Sequence, residues 1–307
     1  MTVEIWALLG PTGVGKTDVA VSLADRVPLE VVGLDRGQLY IGMDIGTATP
    51  SAAQQAMVPH HMLNLITPDI RWDAMTYARA ARTIIEEIHA RGRHPMVVGG
   101  TGFYFSALSG QLSKNLPPRD EALRESLRAK ARVIGSGGLW EELCARDLAT
   151  ATRLHPNDLS RIIRALEIVT LTGKPMAEHT AAAPPTPWGR WRIVVLTMER
   201  ERLKAAIRRR VEAMIRAGWA DEVRGLLETG FGPESPGMAN LGYREMIDHV
   251  RGALPLDEAA QRIVLRTWQY ARRQLTWFRR VPADRWVTTG DVVDATARVW
   301  RLLTKEA

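Results

Sequence analysis

The densest chemistry in the chain lies near its start. Residues 9–17 read LGPTGVGKT, with Gly10, Gly15, Lys16 and Thr17 at the spacing G-x-x-x-x-G-K-[ST]. Gly10, Pro11, Thr12, Gly13, Val14 and Gly15 would form a loop whose glycines let backbone N–H groups turn inward on phosphate oxygens. Lys16 adds positive charge, and the Thr17 hydroxyl is a hard oxygen donor suited to magnesium. The spacing predicts a bound polyphosphate or pyrophosphate, with nucleotide hydrolysis or phosphoryl transfer as the default reaction.

Such a loop needs a strand before it and a helix after it, and both are present. VEIWALLG (3–10) is an apolar run that predicts a buried strand, 16–26 predicts a helix, and LEVVGL (29–34) a second strand. A helix from about Ala74 to Arg91 leads into PMVVGG (95–100), a third strand, followed by another helix. Alternating strands and helices predict a parallel sheet, whose ligands lie outside the carboxyl ends of the strands. The turns after the three strands should therefore converge on one site. The second turn carries Asp35, which either holds magnesium or accepts a proton or hydrogen bond from an acceptor substrate. Gln38 and the following GMDIG glycines suit a loop lying against a planar substrate. The third turn carries Thr101, as a helix N-cap or as a site residue.

From about Ser113 to Pro187 the strand signal gives way to helical patterns with polar faces, ending in AAAPPTPWG. WRIVVLTM (191–198) restores it as a fourth strand, and helices are expected over 201–216 and about 256–280. The expected fold class is α/β, a P-loop NTPase-like parallel sheet core with an inserted all-helical lobe. Residues 1–112 and 191–307 would form a discontinuous core, and 113–190 the insertion.

Composition narrows the field. With 307 residues, 46% hydrophobic and 24% charged, the chain reads as globular, large enough for two domains. No apolar run approaches the roughly 20 residues of a bilayer helix, so no membrane partner and a cytoplasmic location are expected. The single cysteine, Cys144, excludes an internal disulfide and a cysteine-rich zinc site. Cations outnumber acids, 41 to 34, and 35 of those 41 are arginine, the side chain suited to bidentate phosphate contact. Between Arg200 and Arg280 stand 16 basic and 10 acidic residues, a local excess that points to an anionic partner such as nucleic acid. In the insertion, Arg161 and Arg164 lie three apart and could contact RNA phosphates from one helix face. The segment 270–280, YARRQLTWFRR, interleaves aromatic and basic residues, which reads either as base stacking or as helical core. His60 and His61 are adjacent and cannot face one way on a strand or helix, which argues against a metal site there.

Beyond the phosphate loop, an ordered series of motifs resembles the tRNA dimethylallyltransferase (tRNA isopentenyltransferase) family. It comprises GPTGVGKT, D-x-x-Q-x-Y-x-GMDIGTA-x-P, PHH, VGGTG-x-Y, HPND-x-x-R-x-x-RALE, GYREM and Y-A-R-R-Q-x-TWFR, spread from residue 10 to 279. The resemblance implies transfer of a dimethylallyl group from dimethylallyl pyrophosphate, with Mg2+, to the exocyclic amine of an adenine beside the anticodon of tRNA. The loop would then hold a leaving group, stabilised by Lys16 and by Thr17 with the metal. Asp35 matches the family's general base, Thr101 a threonine beside the reacting base, and Arg210 an arginine that clamps pyrophosphate. Contact with the anticodon stem-loop would fall to Asp35, Arg36, Gly37, Gln38 and Thr101, and to Arg124, Ser160, Arg161, Ile162, Ile163 and Arg164. The expected enzyme is a monomer.

Three positions depart from the family pattern. Arg36 stands where most members have serine or threonine, Trp268 where they have arginine, and Ala206 where arginine is usual. Adenylate isopentenyltransferases, which act on free nucleotides, can carry L-D-R-x-Q at the first of these, so a free-nucleotide acceptor is the first alternative. A small-molecule kinase and a non-catalytic RNA-binding protein are the others.

Overall fold

The computed structural model describes residues 3–112, 116–182, 186–281 and 285–304. It falls into two compact units, Met1–Ser109 with Trp188–Ala307, and Gly110–Pro187. Those boundaries precede the expected 113 and 190 by a few residues, and 113 itself lies outside the described residues.

The first unit is built on a six-stranded parallel sheet: β1 (Glu4–Leu9), β2 (Leu29–Leu34), β3 (His60–His61), β4 (His94–Gly99), β5 (Arg190–Thr197) and β6 (Trp286–Thr288). The strand order is β3-β2-β4-β1-β5-β6, so β1 is central, flanked by β4 and β5. β2 is buried at all six positions and β1 at five of six, which is why these strands read as continuous apolar runs rather than as alternations. The helices of this unit are α1 (Lys16–Ala24), α2 (Asp44–Thr47), α3 (Ala52–Met57), α4 (Ala74–Ala90) and α5 (Gly102–Leu108), all before the insertion. The second unit is helical: α6 (Glu121–Arg146), α7 (Leu148–Ala151), α8 (Leu159–Thr172) and α9 (Met176–Ala182). α6 breaks its helical geometry at Gly135. After the insertion come α10 (Arg200–Arg216), α11 (Trp219–Glu228), α12 (Tyr243–Val250), α13 (Leu256–Phe278) and α14 (Val292–Thr304).

The four long strands lie within one residue of their predicted positions. The two edge strands, β3 and β6, were not predicted: at two and three residues they are too short to show periodicity. In β3, His61 turns to the buried carboxylate of Glu30 at 2.6 Å, while His60 Nδ1 lies 2.7 Å from the Val58 carbonyl. No helix among the described residues is long and apolar enough to cross a membrane.

Candidate active site

The phosphate loop leaves the carboxyl end of β1 and enters α1, the context that its sequence pattern requires. Gly13 (φ +82°) and Gly15 (φ +88°) adopt the left-handed backbone that aims N–H groups into the loop. Lys16 folds across it, Nζ donating to the carbonyls of Gly10 at 3.0 Å and Pro11 at 2.8 Å. Burial, then the nearby Arg210 guanidinium, lower its pKa to about 7 against the opposing pull of Asp35. A lysine so placed gains charge when an anion arrives. Thr17 follows on the first turn of α1.

Asp35 sits just beyond β2, one oxygen accepting the Gly37 N–H at 2.8 Å. Burial raises its pKa above the ordinary carboxylate value, against the Gly37 amide and the charges of Lys16, Arg210 and Arg36. Such a carboxyl is a better proton acceptor than a solvated one. Arg210, from α10, is lowered by burial and drawn back up by Asp35, and its Nη2 donates to the Thr47 carbonyl at 3.4 Å. Thr101 stands at the N-cap of α5 but makes no side-chain cap, and it shares a cavity wall with Tyr270. Thr12, Asp35, Arg36, Gly37, Thr101 and Arg210 line one cavity of 430 Å3. Arg36 is exposed and donates to the Pro236 carbonyl at 3.2 Å, and Gln38 Nε2 donates to the Ala48 carbonyl at 3.1 Å.

Tyr270 and Arg273, from the 270–280 segment weighed as base stacking or core, reach the same cavity from α13, and so does Arg266, which sequence reasoning missed. Burial and the charge of Asp35 push the Tyr270 hydroxyl up to about 12, so it stays a donor. Glu222 of α11 accepts the N–H groups of Ile45 (2.6 Å) and Gly46 (3.1 Å) and the Tyr243 hydroxyl (2.7 Å), holding the short α2 whose Thr47 carbonyl receives Arg210. The available signal was polar residues on the buried face of an amphipathic helix: Thr267 and Gln274 lie among Ile263, Ala271 and Phe278. Trp277 and Phe278, weighed as either stacking or core, pack inward: Phe278 is fully buried and Trp277 meets Phe105 edge-on at 6.2 Å. Trp268 packs on the main core, with the cations of Arg200 and Lys204 5.8 and 5.5 Å from its ring centre.

Within the helical unit the expected RNA-contacting residues separate into two groups. Ser160 is exposed, as is Arg161, whose side chain is 75% exposed and pairs with Asp158 at 2.6 Å. Arg124, by contrast, is buried and pairs with the fully buried Glu167 at 3.0 Å. Arg164 pairs with the same carboxylate at 2.7 Å and donates to the Pro117 carbonyl at 2.7 Å. Arg161 and Arg164 therefore do not share one free face: although they are neighbours on α8, three residues apart, Glu167 engages Arg164 while Arg161 pairs with Asp158 in solvent. Ile162 and Ile163 lie in the core of this unit with Leu127, Leu139, Leu143 and Leu166. Their side chains, like that of Arg124, face protein rather than solvent.

Among the described residues no three His, Cys, Asp or Glu side chains cluster as a metal cage. The donors at hand are the Thr17 hydroxyl and the Asp35 carboxylate, hard oxygens in small number. Magnesium suits that set, because it usually keeps several waters and takes most of its remaining ligands from substrate phosphates.

The sequence model of the IPP transferase family matches residues 38–281. The chain is 43% identical to a tRNA dimethylallyltransferase of Geobacter sulfurreducens over 91% of its length and 89% of that protein. Among solved structures it resembles a tRNA isopentenylpyrophosphate transferase of Bacillus halodurans, 36% identical, with TM-score 0.68 over 98% of this chain and 96% of that one. A eukaryotic dimethylallyltransferase, captured acting on tRNA, superposes with TM-score 0.75 at 27% identity over 90% of this chain and 70% of that one. Given that breadth of agreement around a phosphate loop facing a half-buried carboxylate, the chain belongs to the IPP transferase family.

Proposed function

We propose that the protein is a tRNA dimethylallyltransferase, moving a dimethylallyl group from dimethylallyl pyrophosphate to the N6 amine of the adenine 3′-adjacent to the anticodon. The observation that carries this reading is the half-buried Asp35, set among Lys16 and Arg210 on a cavity shared with Thr101. A kinase would need its acceptor held for attack on phosphorus. Here the cations hold a leaving group, and the carboxyl meets the incoming amine.

The amine nitrogen forms a bond to the allylic carbon as the carbon–oxygen bond to pyrophosphate breaks. Asp35 accepts the proton that the nitrogen loses. Lys16, Arg210 and the loop amides meet the charge growing on the departing oxygen. Thr17, with oxygens of the pyrophosphate, would hold magnesium, which would supply further charge neutralisation. Thr101, on the same cavity wall as Tyr270, borders the place of the base. An adenine stacked in an anticodon loop cannot enter a cavity of this size, so the base must be turned out of its stack. Arg161 and Ser160 are the exposed groups of the helical unit suited to RNA phosphates, and Arg266 and Arg273 suit the same task at the cavity. The enzyme works in the cytoplasm as a monomer.

A transfer assay with radiolabelled dimethylallyl pyrophosphate and magnesium, offered unmodified tRNA and separately AMP and ATP, tests the reading. Label in tRNA alone is expected. Label in the free nucleotides would instead make the protein an adenylate-type enzyme, in keeping with Arg36.

A further inference from the structure

Gln274 is a polar side chain only 6% exposed, set in the apolar face of α13. A buried amide is tolerated when both its oxygen and its nitrogen find partners. Here Oε1 accepts the Thr12 N–H at 2.9 Å, and Nε2 donates to the Gly100 carbonyl at 2.9 Å. Thr12 belongs to the phosphate loop, and Gly100 immediately precedes Thr101. One side chain thus joins the turn after β1 to the turn after β4. The fit leaves no slack: a Cβ at residue 100 would lie 2.1 Å from Gln274 Nε2 and 3.0 Å from the Gly10 carbonyl. One turn earlier on α13, Tyr270 lines the same cavity as Thr101.

We infer that Gln274 is a positioning residue for the pyrophosphate, acting through the backbone of the phosphate loop. A loop of this kind binds by aiming several N–H groups at one point, so a segment left free to swing must be ordered at binding, at a cost in affinity. Gln274 holds the Thr12 segment in place before substrate arrives. It also commits the Thr12 N–H, which leaves phosphate to the amides from Gly13 onward. Through Gly100 the same side chain sets the spacing between the loop and Thr101, and hence between leaving group and acceptor base.

The inference rests on the pyrophosphate reading of the loop, and two substitutions test it. Gln274→Met keeps length and volume but neither hydrogen bond. Gln274→Glu keeps the acceptor for Thr12 and can donate to the Gly100 carbonyl only when protonated. Calorimetric affinity for magnesium pyrophosphate, and KM for dimethylallyl pyrophosphate and for tRNA, would be measured below the unfolding temperature of each variant. Gln274→Met is expected to weaken pyrophosphate binding and raise KM for dimethylallyl pyrophosphate about tenfold, with KM for tRNA unchanged. Gln274→Glu, whose carboxylate still accepts the Thr12 N–H, should fall between Gln274→Met and wild type at alkaline pH and recover toward wild type on acidification, when it can donate to the Gly100 carbonyl. Wild-type pyrophosphate affinity in Gln274→Met, an equal loss toward both substrates, or a Gln274→Glu pH profile parallel to wild type would each overturn the role. Failure of the unmodified protein to bind pyrophosphate would overturn the reading of the loop itself.

Discussion

Asp35 is held in tension: burial opposes its ionisation, while Lys16, Arg210 and Arg36 favour it. Replacing it with alanine should lower kcat by about 10²- to 10⁴-fold, the usual contribution of a general base, with tRNA affinity nearly unchanged. Single-turnover transfer at saturating tRNA checks this, and full turnover would remove Asp35 from the role. The pH dependence has two limbs. Because the pKa of Asp35 is raised, kcat/KM should fall on acidification through that raised value, as the base gains its proton. Lys16 titrates near 7 in the free protein, and a bound pyrophosphate draws its pKa upward. Its contribution to affinity is then full below about 7 and declines as pH rises toward the bound value. Dimethylallyl pyrophosphate should therefore bind with proton uptake just above neutrality. Calorimetry in buffers of different ionisation enthalpy would detect that uptake, and Lys16→Met should abolish it.

At the scale of elements, the helical unit is organised around one carboxylate. Glu167 of α8 is fully buried and meets Arg124 of α6, its own neighbour Arg164 and the Asp120 N–H. Glu167→Ala would leave Arg124 buried without its partner, a loss of about 3–5 kcal/mol for a broken buried pair. Hydrogen exchange should show α6 and α8 losing protection while the sheet keeps its own; a uniform response would contradict this placement. Arg161 offers the contrast, since its pairing with Asp158 is exposed and worth little to stability. Arg161→Ala should leave denaturant unfolding unaltered and lessen the salt dependence of tRNA binding, because a phosphate contact releases counterions. An unchanged salt slope would return Arg161 to the solvated surface. Helical periodicity located α8 and its arginines, but not which of them Glu167 had claimed. Gly100→Ala carries a further cost at the β4–α13 junction, about 1–3 kcal/mol for a methyl forced into filled space, measurable by denaturant unfolding.

For the molecule as a whole, a net charge of +7 and the arginine excess agree with an RNA substrate. Chelating magnesium should stop transfer while leaving tRNA affinity intact, since the metal's expected ligands lie on the pyrophosphate side; a parallel loss of both would place the metal elsewhere. The sequence alone determined the parallel sheet, because buried strands are continuous apolar runs and the intervening helices carry a 3.6-residue period. It also determined the phosphate loop, whose chemistry is local: glycine, lysine and threonine within eight consecutive residues. Asp35 and Thr101 were legible because parallel strands deliver their carboxyl ends to one side. Only the tertiary structure decided what came from far along the chain. Gln274 reaches Thr12 across 262 residues, Glu222 reaches Ile45 across 177, and Arg124 meets Glu167 across 43. Periodicity along one helix states which face is buried and says nothing of what is buried against it. Pairings of that kind are selected by packing, where each polar group must find its partner or bear the cost of desolvation.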